Sequence, residues 1–143
     1  MPVRIPAERL REWLRVLDSV EEYARLVEAR LGRAAVILYG SFARGDFNLW
    51  SDVDMLVVSD AFRGVRPLDR YDMLPAVERI EPVPVTPGEL ERMLEKPAWR
   101  QALRDAVIVV DRLGVGEALK RAGVTPRRLE ELRRRVAGLL RGG

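Results

Sequence analysis

The chain contains no cysteine and no histidine. Those two absences exclude disulfide frameworks, thiol nucleophiles, zinc ribbons, serine–histidine triads and histidine-held metals. Any metal must be held by oxygen, which suits magnesium, manganese or calcium. Lysine is scarce: of 25 basic residues only Lys96 and Lys120 are lysines. Neither follows the Gly-x-x-x-x-Gly spacing of a P-loop, so that phosphate cradle is excluded as well. No run approaches the roughly 18 apolar residues of a membrane span, and the opening Met1-Pro-Val-Arg-Ile-Pro6 lacks the long apolar stretch of a signal peptide. The expectation is a cytoplasmic protein.

What is present is 143 residues, the length of one domain with a core that needs no staples. The net charge of +3 is carried almost wholly by arginine. An arginine-rich surface suits a polyanionic partner such as nucleotide or RNA. The simpler reading is solvated helix faces, because most of the arginines stand among glutamates on amphipathic patterns.

Apolar residues at Leu10, Trp13, Leu17, Val20, Ala24, Val27 and Leu31 alternate spacings of three and four, which predicts a helix over residues 6–31. Ser19 and Glu22 have the form of a capping box and mark a possible break near Asp18. Gly32 closes the helix, and residues 34–39 read as a buried strand. A second apolar run, residues 55–58, follows Asp52 and Asp54. Pro67 suits the first turn of a helix reaching about residue 79. Residues 80–85, Ile-Glu-Pro-Val-Pro-Val, form a strand whose two prolines confine it to an edge or a bulge. Thr86-Pro-Gly-Glu89 is a helix start with N-cap, proline at the first position and glutamate at the third. A break at Pro97, a strand at 107–110 and a short helix at 115–121 follow. Thr125-Pro126 opens a last helix over 126–140, with Leu129, Leu132, Val136, Leu139 and Leu140 on one face and Arg127, Arg128, Arg133, Arg134 and Arg135 on the other. The expected fold is a single α/β (α+β) domain: a small mixed sheet of three or four strands flanked by helices, with its core over about 34–111.

The chemistry concentrates between the first two strands. A strand that starts at Asp52 puts Asp52, Asp54, Leu56 and Val58 on one face, acids at the mouth and aliphatics deeper. Neighbouring carboxylates repel unless a cation lies between them, and magnesium accepts one or two carboxylates together with phosphate oxygens. Gly40-Ser41, directly after the first strand, supplies a complementary half: glycine lets backbone N–H groups approach a phosphate and the serine hydroxyl donates to it. Arg44 has two candidate partners, a phosphate or a nearby acid such as Asp46. Phe47, Leu49 and Trp50 make an apolar loop that either stacks a nucleobase, meets a protein partner or folds back on the core. Trp99 and Tyr71 read as packing residues.

Gly40-Ser41, ten intervening residues, then Asp52-Val53-Asp54 resembles the signature of the DNA polymerase beta-like nucleotidyltransferase superfamily. The fuller string Gly-Ser-Phe-Ala-Arg-Gly-Asp with Ser-Asp-Val-Asp is similar to its minimal nucleotidyltransferase branch. The resemblance covers residues 34–85 and implies a nucleotidyltransferase fold. It implies that Gly40 and Ser41 hold nucleotide phosphates and that Asp52 and Asp54 bind metal. A third acid is expected on a later strand as metal ligand or base, and Glu81 fits best. Here the chain departs from the family pattern, with Glu in place of Asp and Pro82 directly behind. Asp72 and Glu78 are poorer candidates because helix faces offer them a simpler home.

The activity so implied is transfer of a nucleoside monophosphate from an NTP, with ATP the expected one, to a hydroxyl acceptor. Magnesium is the expected cofactor, with manganese as the alternative, and pyrophosphate is released. The chain is short for an acceptor-binding domain. By resemblance, a small helical HEPN-type protein is the expected partner, with this chain as the antitoxin of a toxin–antitoxin pair. The alternative is a catalytically idle module that binds nucleotide or masks its partner. Homo-oligomerisation and direct nucleic-acid binding are left open.

Overall fold

The three-and-four apolar spacing produces one unbroken helix, α1 (Ala7–Leu31), which buries Leu10, Trp13, Val16, Leu17, Val20, Tyr23, Ala24 and Val27. The apolar register runs straight through Ser19 and Glu22, so no break forms at Asp18. The structure is a computed structural model that describes residues 4–142. Met1 to Val3, part of the opening segment read above for targeting, and Gly143 lie outside the described residues.

Downstream of α1 come β1 (Ala35–Tyr39), the single turn α2 (Ser41–Arg44), β2 (Val53–Val58), 3-10 turns at Asp60–Phe62 and Pro67–Met73, and β3 (Ile80–Val85). The chain continues through α3 (Pro87–Leu94), α4 (Pro97–Ala102), β4 (Val107–Asp111), α5 (Val115–Arg121), β5 (Arg127–Arg128) and α6 (Leu129–Arg141). All five strands join one mixed sheet in the order β3-β2-β1-β4-β5. β1 is antiparallel to both β2 and β4, whereas β2–β3 and β4–β5 are parallel.

Both faces of this sheet are covered, which is why β1 and most of β2 are apolar without alternation. Val36, Leu38, Met55 and Val57 pack with α1 and α6. Ala35, Ile37, Leu56 and Val58 pack with residues of α3 and α5 and with Leu103 just past α4. The result is a three-layer single domain. No helix among the described residues is long and apolar enough to cross a membrane.

The proline-bearing strand is an edge strand, paired only with β2. The Thr86 start is also as expected: the Thr86 hydroxyl accepts from the Glu89 amide (3.2 Å) and the Glu89 carboxylate accepts from the Thr86 amide (2.7 Å). Two expectations need correction. No α-helix spans 67–79; the segment is a 3-10 turn followed by extended chain. Pro75 disfavours the helical region for Leu74 before it, and the Arg70 side chain is drawn inward to the Glu89 carboxylate (2.6 and 3.1 Å) and the Val65 and Pro84 carbonyls.

The second correction concerns the last helix, which starts at Leu129 instead of 126. Arg127 and Arg128 form a fifth strand, so the sheet exceeds the three or four anticipated. The Arg127 amide donates to the Ala106 carbonyl (2.9 Å). Its guanidinium donates to the carbonyls of Ala43 (2.5 Å) and Asp105 (3.0 Å). Arg133 pairs with Asp18 and Glu21 of α1. Part of the arginine face is thus internal glue.

Candidate active site

At the end of β1 the backbone turns through Gly40 with φ of 80°. A Cβ built there would lie 2.5 Å from Asp54 Oδ2, so a side chain is excluded by both conformation and space. The Gly40 carbonyl accepts from the amides of Ala43 and Arg44 (both 3.1 Å), which winds Ser41–Arg44 into a turn. Gly45 (φ 97°) ends it, with its amide on the Ser41 carbonyl (2.7 Å). A Cβ at Gly45 would meet the Trp13 ring at 2.5 Å.

Phe42 anchors the turn from below: it is buried and stacks on Phe47 with centroids 4.3 Å apart. Trp13 donates to the Phe42 carbonyl (2.6 Å) and packs edge-on to Phe47. Ser41 is half-buried at the head of the turn, next in the chain to Gly40, which makes room for the carboxylate of Asp54.

Across the sheet, Tyr39 of β1 is in register with Asp54 of β2, and Asp54 with Glu81 of β3. Adjacent strands lie about 4.8 Å apart, so these three side chains form a row on the face that Leu56 and Val58 share. Asp54 is half-buried and its carboxyl is held above the usual range, first by burial, then by the charges of Glu81 and Asp52, with Arg44 pulling the other way. Asp52 and Glu81 are exposed. Asp52 does not begin the strand, which starts at Val53; it stands one residue outside. Asp72 and Glu78 are not among the groups that perturb Asp54. Among the described residues no three carboxylates close into a ready-made metal cage.

Arg44 donates through Nε to Asp46 (3.1 Å), an exposed pair, while its charge still acts on Asp54. Such an exposed pair contributes little and does not commit the guanidinium. The apolar loop divides. Phe47 turns into the core, whereas Leu49 and Trp50 stand out at 79% and 87% exposure. The turn that presents them is pinned by Asn48 Oδ1, which accepts from the Trp50 amide (2.8 Å), and by Ser51 Oγ, which accepts from the Asn48 amide (2.9 Å).

Trp99 packs edge-on against Tyr39 with centroids 6.2 Å apart. Tyr71 is 47% exposed, so it is less a packing residue than the sequence suggested. The Tyr39 phenol is pushed up to about 12 by burial and by the nearby Asp54, Tyr71 and Glu81. Within an apolar run Tyr39 carried no signal of its own; only its place beside Gly40 hinted at it.

Arg79 carries no functional signal in the sequence and is the site's main addition. Its amide unit adjoins β2, for its carbonyl accepts from Val53 (2.7 Å). Its φ is 72°, the one positive value among non-glycine residues described. Ile80 donates to the Val77 carbonyl (3.1 Å), which puts Arg79 at the third position of a turn where glycine is the usual occupant. An arginine there gives no sequence signal.

No curated protein sequence matches the chain. Among solved structures it is similar to a protein from Sulfolobus solfataricus that carries the provisional name nucleotidyltransferase. That likeness has a TM-score of 0.60 at 22% identity over 76% of this chain and 91% of the other, and it shows a shared fold. The sequence model of a family described as "nucleotidyltransferase domain" matches residues 20–110. That span runs from the middle of α1 into β4 and takes in the candidate site residues from Tyr39 to Glu81, and by it the chain belongs to the nucleotidyltransferase domain family.

Proposed function

We propose that the chain is a metal-dependent nucleotidyltransferase that moves a nucleoside monophosphate from an NTP, with ATP the expected donor, to a hydroxyl acceptor. The observation that carries this reading is Asp54, half-buried beside Gly40 and crowded by the charges of Glu81 and Asp52. Like charges so arranged call for a cation.

The donor set fits magnesium or manganese: it is all oxygen, and two of its carboxylates stand at an open rim. Asp52 and Asp54 would hold the ion, with Glu81 as a further ligand or as base. When bound, the ion supplies charge neutralisation for the triphosphate and for the departing pyrophosphate.

The chain's own residues do the rest. Gly40 leaves room for phosphate oxygens close to the backbone, and the Ser41 hydroxyl donates to one of them. Arg44, free to leave Asp46, adds positive charge at the same rim. The acceptor oxygen bonds to the α-phosphorus as the α–β anhydride bond breaks and pyrophosphate leaves. In the absence of histidine, a carboxylate takes the acceptor's proton, and Glu81 is exposed and adjacent. The acceptor comes from another molecule. A hydroxyl on a small helical HEPN-type protein fits the family resemblance, and Leu49 and Trp50 offer an apolar contact two residues ahead of Asp52.

A second reading, an idle nucleotide-binding or partner-masking antitoxin, is favoured by the carboxylates not forming a closed cage. One experiment separates the two. The protein is incubated with labelled NTPs, magnesium and the product of the neighbouring reading frame, beside Asp52→Asn. Label on the partner from the wild type alone supports transfer; equal label, or none, supports the idle module.

A further inference from the structure

We propose that Arg79 is the positioning residue of this site: it fixes the Asp52 segment from the opposite face of the sheet and locks it to the Gly40–Ser41 turn. The catalytic part of this inference rests on the transferase reading above. The geometric part stands on Arg79's own contacts.

The guanidinium donates twice to the Ser51 carbonyl, from Nη2 at 3.2 Å and Nε at 3.4 Å. Ser51 is the residue immediately before Asp52. A third bond runs from Nη1 to Glu12 of α1 at 2.8 Å. The group also lies over the Phe42 ring, 5.1 Å from its centroid, and Phe42 is the residue after Ser41. The Arg79 carbonyl meanwhile takes the Val53 amide at 2.7 Å. Asp52 is therefore bracketed: the carbonyl before it and the amide after it both end on Arg79.

Arg79 is itself two residues ahead of Glu81, so one residue contacts the Asp52 segment and the Gly40–Ser41 turn and leads into the strand that carries Glu81. Its partners Glu12 and Phe42 belong to the α1 side of the sheet, while Asp54 and Glu81 face the other side with Leu56 and Val83. The guanidinium thus acts through backbone and does not reach substrate. The left-handed backbone at Arg79 has the same meaning. Glycine would suit that φ, yet a side chain is present that gives two of its three polar contacts to the Ser51 carbonyl.

The test compares Arg79→Gly, Arg79→Met and Arg79→Lys with wild type, with Arg112→Met as a control that removes another arginine–glutamate pair from α1. Arg79→Gly relaxes the turn, so it guards against a variant that fails to fold. Amide hydrogen exchange over residues 48–54 and the magnesium concentration giving half-maximal transfer are both measured. Expected for Arg79→Gly and Arg79→Met are faster exchange confined to 48–54, with β1 and β4 unchanged, and a magnesium requirement raised about tenfold or more, as for other supports of metal ligands. The acceptor KM should not move. Arg79→Lys, which keeps charge for Glu12 but loses the planar pair of donors to Ser51, should recover little. Wild-type exchange over 48–54 together with a wild-type magnesium midpoint would overturn the proposal. Loosened exchange in the variants of an inactive wild type would sink the transferase reading and leave the positioning role standing.

Discussion

Glu81 lies in register with Asp54 across the parallel β2–β3 pairing, so two carboxylates separated by 26 intervening residues of chain share one face at one strand spacing. The β2–β3 connection includes the 3-10 turn Pro67–Met73, which Arg70 ties to α3 through Glu89. That ion pair anchors the connection that leads into β3.

Asp54→Asn is expected to raise the thermal midpoint at neutral pH in metal-free buffer by a few degrees while abolishing transfer. It removes a charge that burial, Glu81 and Asp52 all disfavour. Because the folded Asp54 binds its proton more tightly than the unfolded one, the gain should fade as pH falls from the raised folded value to the ordinary carboxylate one and be absent below that. Thermal melts at several pH values check this; a lowered midpoint at neutral pH would show the Asp54 charge to be stabilising.

Gly40→Ala places a methyl 2.5 Å from Asp54 Oδ2 on a backbone with φ of 80°. A destabilisation of about 1–3 kcal/mol is expected from the backbone alone, with nucleotide binding lost because Asp54 must move. Denaturant unfolding beside nucleotide titration measures both. Retained binding at wild-type affinity would mean that the turn has slack.

Glu89 is held down at about 2, first by its bonds to Arg70 and further by the Thr86 amide. A depressed carboxylate contributes stability above its unfolded value, and that contribution is lost as pH falls through the folded one. The stability gap between wild type and Glu89→Gln should therefore be full at neutral pH and close between about pH 5 and pH 2. A gap independent of pH would assign the effect to shape and not to charge.

Arg70→Ala removes the donor that the Val65 and Pro84 carbonyls share and leaves the Glu89 carboxylate with only the Thr86 amide. Arg70 is 6% exposed but the Glu89 side chain is 29% exposed, so the loss expected is about 1–3 kcal/mol, the cost of stranding buried acceptors. Unfolding curves would show it, and a loss below about 1 kcal/mol, the range of exposed pairs, would contradict the buried assignment.

Leu49→Ser with Trp50→Ser should leave stability within about 0.5 kcal/mol, as both side chains are mostly in solvent. Nucleotide binding should persist while labelling of a protein acceptor falls. Unchanged labelling would remove this loop from acceptor recognition.

Local patterns set several elements. Leu10 to Leu31 keep helical spacing over many turns, and Thr86 with Glu89 satisfies two amides within four residues. Gly40, Ser41, Asp52 and Asp54 stand next to two apolar runs, so their meeting at strand ends followed from the pattern. Pro82 and Pro84 placed β3 at an edge because proline donates nothing to a neighbour.

By itself, then, the sequence determined α1, the two motif-bearing strands, the edge strand and the half-motifs of the site, because each depends on residues within a few positions of one another. Tertiary structure decided the register that sets Glu81 beside Asp54, the conversion of Arg127 and Arg128 into a strand, and the left-handed Arg79 that brackets Asp52. The last two depend on hydrogen-bond partners far away in the chain, the carbonyls of Ala43, Ser51 and Ala106, and the register on the pairing of two strands far apart in the chain. No periodicity or local propensity carries that information, since a carbonyl is the same group at every position until folding chooses its donor.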